Sequence, residues 1–347
     1  MKQEPSFNKE RLKKHIFKEY GISIKKLSFF PVGEVSYSYI VEVEDGSKYF
    51  VKLYPPSRIV NKNASKLDSS HSIAYQLYHK ENITQVTYPI KTQKGEFNSN
   101  FEDSKLVLWS FIDGKMATEK HRQSVEFLQK LGSLLGNIHN LTENLNLDSV
   151  SKFDFNLGFK KELLLSIKEA TSYTNSSDKH YLKLQKLINQ YKNSILESLV
   201  YLEEISSKLK ERHDIRYVLC HSDPIIHNII VDNDGELHLV DWDGAILAPF
   251  EQDIWFYLND ENFEVFFRKY TDNRNVKTID EDIVVFLFYE RILADLTDWI
   301  HRILFEEITK EQMKNDFKGL EEDIWPVLPN MKKIENQLKR NIQRITQ

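Results

Sequence analysis

Val218-Leu-Cys-His221-Ser-Asp223-Pro-Ile-Ile-His227-Asn228, followed by Val240-Asp241-Trp-Asp243-Gly244, is the stretch on which the reading of this chain turns. Between the two segments lie the apolar runs Ile229-Ile230-Val231 and Leu237 to Val240, separated by Asp234-Gly235. That dipeptide favours a two-residue hairpin turn. A turn centred on it places Asn228 directly opposite Asp241. Opposed side chains on antiparallel strands have Cβ atoms roughly 5 Å apart. Two oxygen ligands at that spacing can grip one small hard cation such as Mg²⁺. Asp223 lies in the loop just before Asn228 and can be aimed at the same spot. A surface hairpin carrying scattered acids is the plainer reading of the same residues.

The spacing also matches a known pattern. Protein kinases carry His-Arg-Asp, four residues and Asn in the catalytic loop, then Asp-Phe-Gly for a second magnesium ligand. Here the loop reads His-Ser-Asp, four residues and Asn, and the second element reads Asp-Trp-Asp. In these variants the chain resembles the aminoglycoside phosphotransferase family of the protein-kinase-like superfamily. The run from Val218 through Asp241-Trp-Asp-Gly-Ala-Ile-Leu-Ala-Pro-Phe-Glu-Gln-Asp253 most resembles the spectinomycin phosphotransferases within it. The resemblance implies an α+β, bilobal, protein-kinase-like fold with a small β-rich N-lobe and a larger, mainly helical C-lobe. It implies Asp223 as the base that positions an acceptor hydroxyl and His221 as the residue holding the catalytic loop in shape. Asn228 and Asp241 become metal ligands, and Asp243 either assists the metal or fixes the loop. Members usually carry an aliphatic residue and then a His straight after the catalytic Asp. This chain has Pro224-Ile225, with the His displaced to His227. Pro224 fixes its own φ and pushes Asp223 toward extended backbone. His227 is either a structural residue or a substrate contact.

Toward the N-terminus, Asn8 to Tyr20 reads as a helix with Leu12, Ile16 and Tyr20 on one face. Tyr37 to Val43 and Lys48 to Leu53 flank Asp45-Gly46, a second hairpin signal. Lys52 alternates with Val51 and Leu53 and points to the opposite face. By resemblance, Lys52 holds the α- and β-phosphates of ATP. The stretch Gly33-Glu-Val-Ser36-Tyr-Ser38-Tyr stands where the family's phosphate loop lies, with Gly33, Ser36 and Ser38 offering amides and hydroxyls. The following helix, Ser69 to Lys80, lacks the Glu expected to pair with the lysine, and Asp68 and Glu81 are the substitutes at its ends. Lys105 to Ser110 reads as a buried strand running into Phe111-Ile112-Asp113-Gly114. The resemblance makes Trp109, Ser110, Phe111 and Ile112 the adenine-binding lobe connector. The domains implied are 1–108 as the nucleotide-phosphate lobe, 109–114 as the hinge and 115–347 as the C-lobe.

Beyond the connector the periodicity becomes helical. Val125, Leu128, Leu131, Leu135 and Ile138 form an apolar face, and Gly132 and Gly136 predict close helix packing. Lys160 to Lys210 predicts an appended helical pair broken at Thr171 to Ser177. Glu251-Gln-Asp253 opens another helix, and by resemblance Asp253 ties that helix to the catalytic core. Asp282 to Phe305 predicts a long helix carrying Glu290, Asp295 and Asp298, the candidate acceptor-binding acids. Arg291 stands one turn before Asp295 and can neutralise it. Trp299 is either a flat wall for a sugar ring or ordinary core.

Composition bounds the function. At 347 residues the chain exceeds a usual single domain. No signal-like N-terminus and no membrane-length apolar run is present. One cysteine allows neither an intrachain disulfide nor a cysteine-based zinc site. A cytoplasmic location is expected. Between Tyr217 and Phe267 there are eleven acidic residues and no Lys or Arg, in a chain of net charge −5. A single-sign cleft recruits opposite charge, so Mg²⁺ and a cationic acceptor are expected. No basic stripe with aromatics marks a nucleic-acid partner. The expected enzyme moves the γ-phosphoryl of ATP or GTP to a hydroxyl of a small molecule. Spectinomycin or a related aminocyclitol is the leading acceptor by resemblance. Another antibiotic, a choline-like metabolite, or nucleotide binding without transfer are the alternatives.

Overall fold

The computed structural model describes residues 3–33, 35–56, 58–172, 179–272, 274 and 278–346, with backbone alone for 58–66 and 346. By compactness it divides into two units. The first comprises Met1–Phe153, Arg216–Phe256 and Asp260–Val276; the second comprises Asp154–Ile215, Tyr257–Asn259 and Lys277–Gln347.

In the first unit, helix α1 (Lys9–Tyr20) begins where the Asn8 side chain accepts from the amides of Glu10 and Arg11, and ends at Gly21 with φ 73°. Its buried residues, Leu12, Ile16 and Tyr20, are one helical turn apart. They pack on one face of a five-stranded antiparallel sheet. Its strands are β1 (Ile24–Phe30), β2 (Tyr37–Val43), β3 (Lys48–Tyr54), β4 (Ser99–Phe101) and β5 (Ser104–Ser110), in the order β1-β2-β3-β5-β4. Tyr39, Val41, Val51, Leu53, Leu106 and Leu108 fill that face. Lys52 and Tyr54 belong to the other face, as alternation requires. Helix α2 (Arg58–His79) follows β3. It begins earlier than the Ser69 read from the sequence.

A three-stranded sheet joins β6 (Gly114–Met116), β8 (Ile229–Asp232) and β9 (Leu237–Leu239) in the order β6-β8-β9. Its hairpin corrects the sequence reading by one residue. Ile229 pairs with Leu239 and Val231 with Leu237, so the Val240 amide donates to the Asn228 carbonyl. Asn228 and Asp241 are therefore not a directly opposed pair. The cause is Asp232, whose carboxylate accepts from the amides of Asp234 and Glu236 at 3.0 and 2.8 Å. That closes a three-residue loop with Gly235 at φ 79°. The β2–β3 turn uses the same device, with Gly46 at φ 87°.

Helix α3 (Glu119–Arg122) leads into α4 (Val125–Asn140), which packs against α8 (Phe263–Thr271). A Cβ on Gly132 would stand 2.4 Å from the Phe266 carbonyl oxygen, and one on Gly136 would stand 2.5 Å from that of Tyr270. The glycines permit backbone approach, as their spacing predicts. Val125 departs from the expected apolar face and is 45% exposed. Strand β7 (Tyr217–Cys220) pairs with β10 (Ile246–Pro249), which is followed by the short helix α7 (Glu251–Ile254). The second unit is helical: α5 (Lys160–Ser172), α6 (Lys179–Lys210), α9 (Glu281–Phe305), α10 (Lys310–Gly319) and α11 (Met331–Thr346). The break is expected from Thr171 to Ser177; α5 continues through Ser172, and 173–178 lie outside the described residues. No helix among the described residues is long and apolar enough to cross a membrane.

Candidate active site

The sequence-predicted lysine and the two acids of Asp-Trp-Asp meet in the first unit. Lys52 Nζ donates to Asp241 Oδ1 at 2.7 Å and to Asp243 Oδ2 at 2.9 Å. Asp243 Oδ2 also accepts from the Tyr54 hydroxyl at 2.8 Å. Burial opposes the charge on Lys52, yet the two carboxylates hold its ammonium above its ordinary pKa. Burial likewise opposes the charge on Asp243, but Lys52 and then His71 keep its carboxyl well below the usual range. Asp241 is the more open acid, its side chain 43% exposed against 23% for Asp243.

The partner of Lys52 is thus not on the following helix. Asp68 takes the Asn98 amide at 2.7 Å and Lys105 at 3.1 Å. Glu81 lies 3.7 Å from Lys80. Asp243 does what was expected of a helix carboxylate. Tyr54 was legible as a residue two places along the same strand face. Ser70 and His71, which approach Asp243 from α2, left no such signal.

The catalytic-loop candidates are held from behind. Asp253, wholly buried on α7, accepts from the amides of His221 and Ser222 at 2.8 and 2.7 Å and from His139 at 3.0 Å. The other His139 nitrogen meets the Tyr270 hydroxyl. This clamp confirms that Asp253 ties its helix to the loop. His221 is buried, its Nε2 bonds to the Val240 carbonyl, and its ring lies edge-on to Trp242. The loop and the acidic segment thereby share one fixed backbone. Ser222 and Asp241 both carry left-handed backbone, at φ 76° and 66°. Such strain costs about 1–3 kcal/mol per residue and gathers at functional sites. Gly244 allows the crossing, because a Cβ there would lie 2.4 Å from Ser222 Oγ.

Asn228 Nδ2 donates to both the carbonyl oxygen and Oδ2 of Asp223, each at 2.9 Å. The amide fixes Asp223 even with Pro224 in the loop. It also turns Asn228 Oδ1 away from Asp223, where no donor among the described residues meets it. That oxygen and the open carboxylate of Asp241 are hard donors of the kind Mg²⁺ prefers, so the residues present fit the ion. The His139, Cys220 and Asp253 cluster has metal-ligand proximity. It is instead a bonded internal network, with Cys220 Sγ close to two carbonyl oxygens.

Other predicted residues fall in several places. Ser38 is buried and lies opposite Lys52 in the β2–β3 register; Ser36 is buried as well. Ser36 stands one residue before β2, and Ser38 is its second residue. Gly33 is exposed at φ 78°, and Glu34 lies outside the described residues. Trp109 is buried near the lysine, its ring 5.8 Å from Nζ. Ser110 exchanges hydrogen bonds with Tyr88. Phe111 and Ile112 follow directly on the end of β5. His227 is exposed. Three acids of the strongly acidic segment have basic partners: Arg122 grips Asp260, Lys130 meets Glu236, and His238 meets Asp232.

In the second unit, Arg291 Nε pairs with Asp295 at 2.6 Å, as the spacing predicts. Burial, then the Asp295 charge, push Glu290 up to about 7 against the pull of Arg291. Asp298 is half-buried on the same helix. Trp299 covers Gly319, where a Cβ would stand 2.7 Å from the indole. That is packing between α9 and α10.

Solved structures share this fold at low sequence identity. A spectinomycin phosphotransferase in complex with ADP and spectinomycin is 22% identical, with TM-score 0.78 over 96% of this chain and 100% of its own. The amicoumacin kinase hAmiN is 15% identical, with TM-score 0.61 over 95% of this chain and 94% of its own. The choline kinase LicA from Streptococcus pneumoniae is 16% identical, with TM-score 0.55 over 89% and 96%. The model of the phosphotransferase enzyme family matches residues 26–278, a span that holds the lysine, the catalytic loop, both acids and the clamp. Over most of its length, then, this chain is an enzyme of the phosphotransferase family, built on the kinase-like fold.

Proposed function

We propose that the chain transfers the γ-phosphoryl of ATP or GTP to a hydroxyl of a small cationic molecule. An aminocyclitol or aminoglycoside antibiotic such as spectinomycin is the leading acceptor, and its modification would confer resistance. The observation that carries the reading is Lys52 shared between Asp241 and Asp243, in the same compact unit as Asp223 and its Asn228 anchor. Support for the acceptor comes from the spectinomycin phosphotransferase that matches all of its own length.

Phosphoryl transfer depends on alignment and charge neutralisation more than on covalent intermediates. Asp223 orients the acceptor hydroxyl and takes its proton late in the step. Asn228 keeps that carboxylate in place, and the Asp253 clamp keeps the loop in place. Lys52 fixes the α- and β-phosphates. Backbone groups at Phe111 and Ile112 serve the adenine edge, with Trp109 and Ser110 leading into them. Residues 1–108 act as the nucleotide-phosphate lobe, 109–114 as hinge and 115–347 as the rest. Asn228 and Asp241 would hold Mg²⁺, which when bound neutralises the phosphate charge. Glu290, Asp295 and Asp298 supply the negative side chains for acceptor ammonium groups. The cytoplasm, where nucleoside triphosphates are plentiful, is the natural compartment.

A choline-like acceptor is the second reading, favoured by the likeness to choline kinase. The test is nucleoside diphosphate release with Mg²⁺ against aminocyclitols, aminoglycosides, macrolides and choline. Release driven by one class names the acceptor. No release with any of them, beside a clear Mg-ATP thermal shift, would reject this acceptor set and leave binding without transfer.

A further inference from the structure

The packing around Asp243 assigns a role to a residue outside every motif. Helix α2 contains one carboxylate, Asp68, and that acid is engaged by Asn98 and Lys105. Asp243 serves Lys52 in its stead, and α2 reaches Asp243 at two points. The Ser70 hydroxyl donates to the Asp243 carbonyl oxygen at 3.2 Å. The next residue, His71, is wholly buried and brings Nε2 to 3.6 Å from Asp243 Oδ1. Neither ring nitrogen of His71, nor Asp243 Oδ1, has a hydrogen-bond partner among the described residues. A separation of 3.6 Å is slightly beyond a hydrogen bond, and closing it by a few tenths of an ångström would satisfy both atoms. A buried polar atom left without a partner is costly, so filling space does not account for an imidazole here. The ring also stands edge-on to Trp109, with centroids 5.1 Å apart.

We propose that His71 is a positioning residue: by donating to Asp243 Oδ1 it fixes the carboxylate that orients Lys52, replacing the helix carboxylate that α2 lacks. The Oδ2 atom of Asp243 is already taken by Lys52 and Tyr54. His71 therefore holds the remaining oxygen and sets the tilt of the carboxylate plane. Asp241, the open acid, is left to exchange Lys52 for another cation while Asp243 keeps it in register. The inference rests on the phosphotransferase reading of Lys52, deepens it, and is testable apart from it.

The test compares His71→Leu, which fills the space without a donor, with His71→Gln, whose amide can still reach Asp243. Lys52 acylation by an amine-reactive ester is mapped by mass spectrometry in nucleotide-free protein. Nucleotide KM, kcat and the thermal midpoint are measured alongside. In the Leu variant, Lys52 should label faster and nucleotide KM should rise about tenfold, the scale of a lost hydrogen bond to a charged group. Its midpoint should hold or rise, and Gln should restore most of both losses. Unchanged labelling and KM in the Leu variant would overturn the proposal. So would equal damage in Leu and Gln with a falling midpoint, which marks packing alone. If wild-type protein shows no Mg-nucleotide shift, the functional reading fails, while the labelling still judges the His71–Asp243–Lys52 relay.

Discussion

Asp241 and Asp243 take their cation from Lys52, some 190 positions away along the chain, whereas Asp295 takes its cation from Arg291, one turn away on the same helix. The first arrangement exists only when β3, α2 and the acidic turn are all in place. The second needs nothing but a helix. A site assembled from distant segments is fixed by topology, and chemistry common to a fold belongs there. Acids on one helix can change without rebuilding anything, and for that reason we propose that choice of acceptor lies there.

The contrast breaks most visibly at Asp253. Asp253→Ala leaves two loop amides and His139 without their acceptor and should lower unfolding free energy by about 3–5 kcal/mol. Urea unfolding measures this; a loss below about 1 kcal/mol would mean that the loop is held by something else.

Lys52→Met should cost less, about 2–4 kcal/mol, because the pair is partly open to solvent. Its pH dependence is the sharper readout. The depressed pKa of Asp243 gives stability that is present above the ordinary carboxylate range and lost as pH falls through and below it. Without Lys52 that carboxylate becomes a buried, weakly paired charge. The variant should then lose most stability at pH 8 and least at pH 4–5.

Gly132→Ala forces a methyl against the Phe266 carbonyl and should cost about 1–3 kcal/mol with nucleotide and acceptor KM unchanged. It is the control that separates stability from chemistry within the first unit. The smallest effect is expected on α9. Glu290, raised to about 7, favours the folded state at low pH, and that contribution is lost as pH rises through about 7. Glu290→Gln should therefore raise the thermal midpoint at pH 8 and leave it unchanged near pH 4.

The sequence was most readable where local rules act. The buried face of helix α1, the β2–β3 hairpin, the glycine contacts of α4 and the Arg291–Asp295 pair all follow from spacing. The catalytic hairpin was misread by one register because the Asp232 carboxylate, not the Asp234-Gly235 dipeptide, sets the loop length. The lysine's carboxylate was sought on α2 because resemblance pointed there, and the fold supplied it from Asp-Trp-Asp. His71 was invisible, since one histidine in a helix says nothing until its neighbour across space is known. The acidic run was read as one open surface, yet Asp260, Glu236 and Asp232 are met by Arg122, Lys130 and His238.

The most direct measurement is a steady-state comparison of Asp223→Asn with Asp298→Asn in acceptor-dependent phosphoryl transfer. Asp223→Asn should lower kcat by about 10²–10⁴-fold while the Mg-ATP thermal shift persists, and Asp298→Asn should raise acceptor KM with kcat nearly intact. Full turnover in Asp223→Asn, or a kcat loss confined to Asp298→Asn, would contradict the division of chemistry and acceptor choice between the two regions.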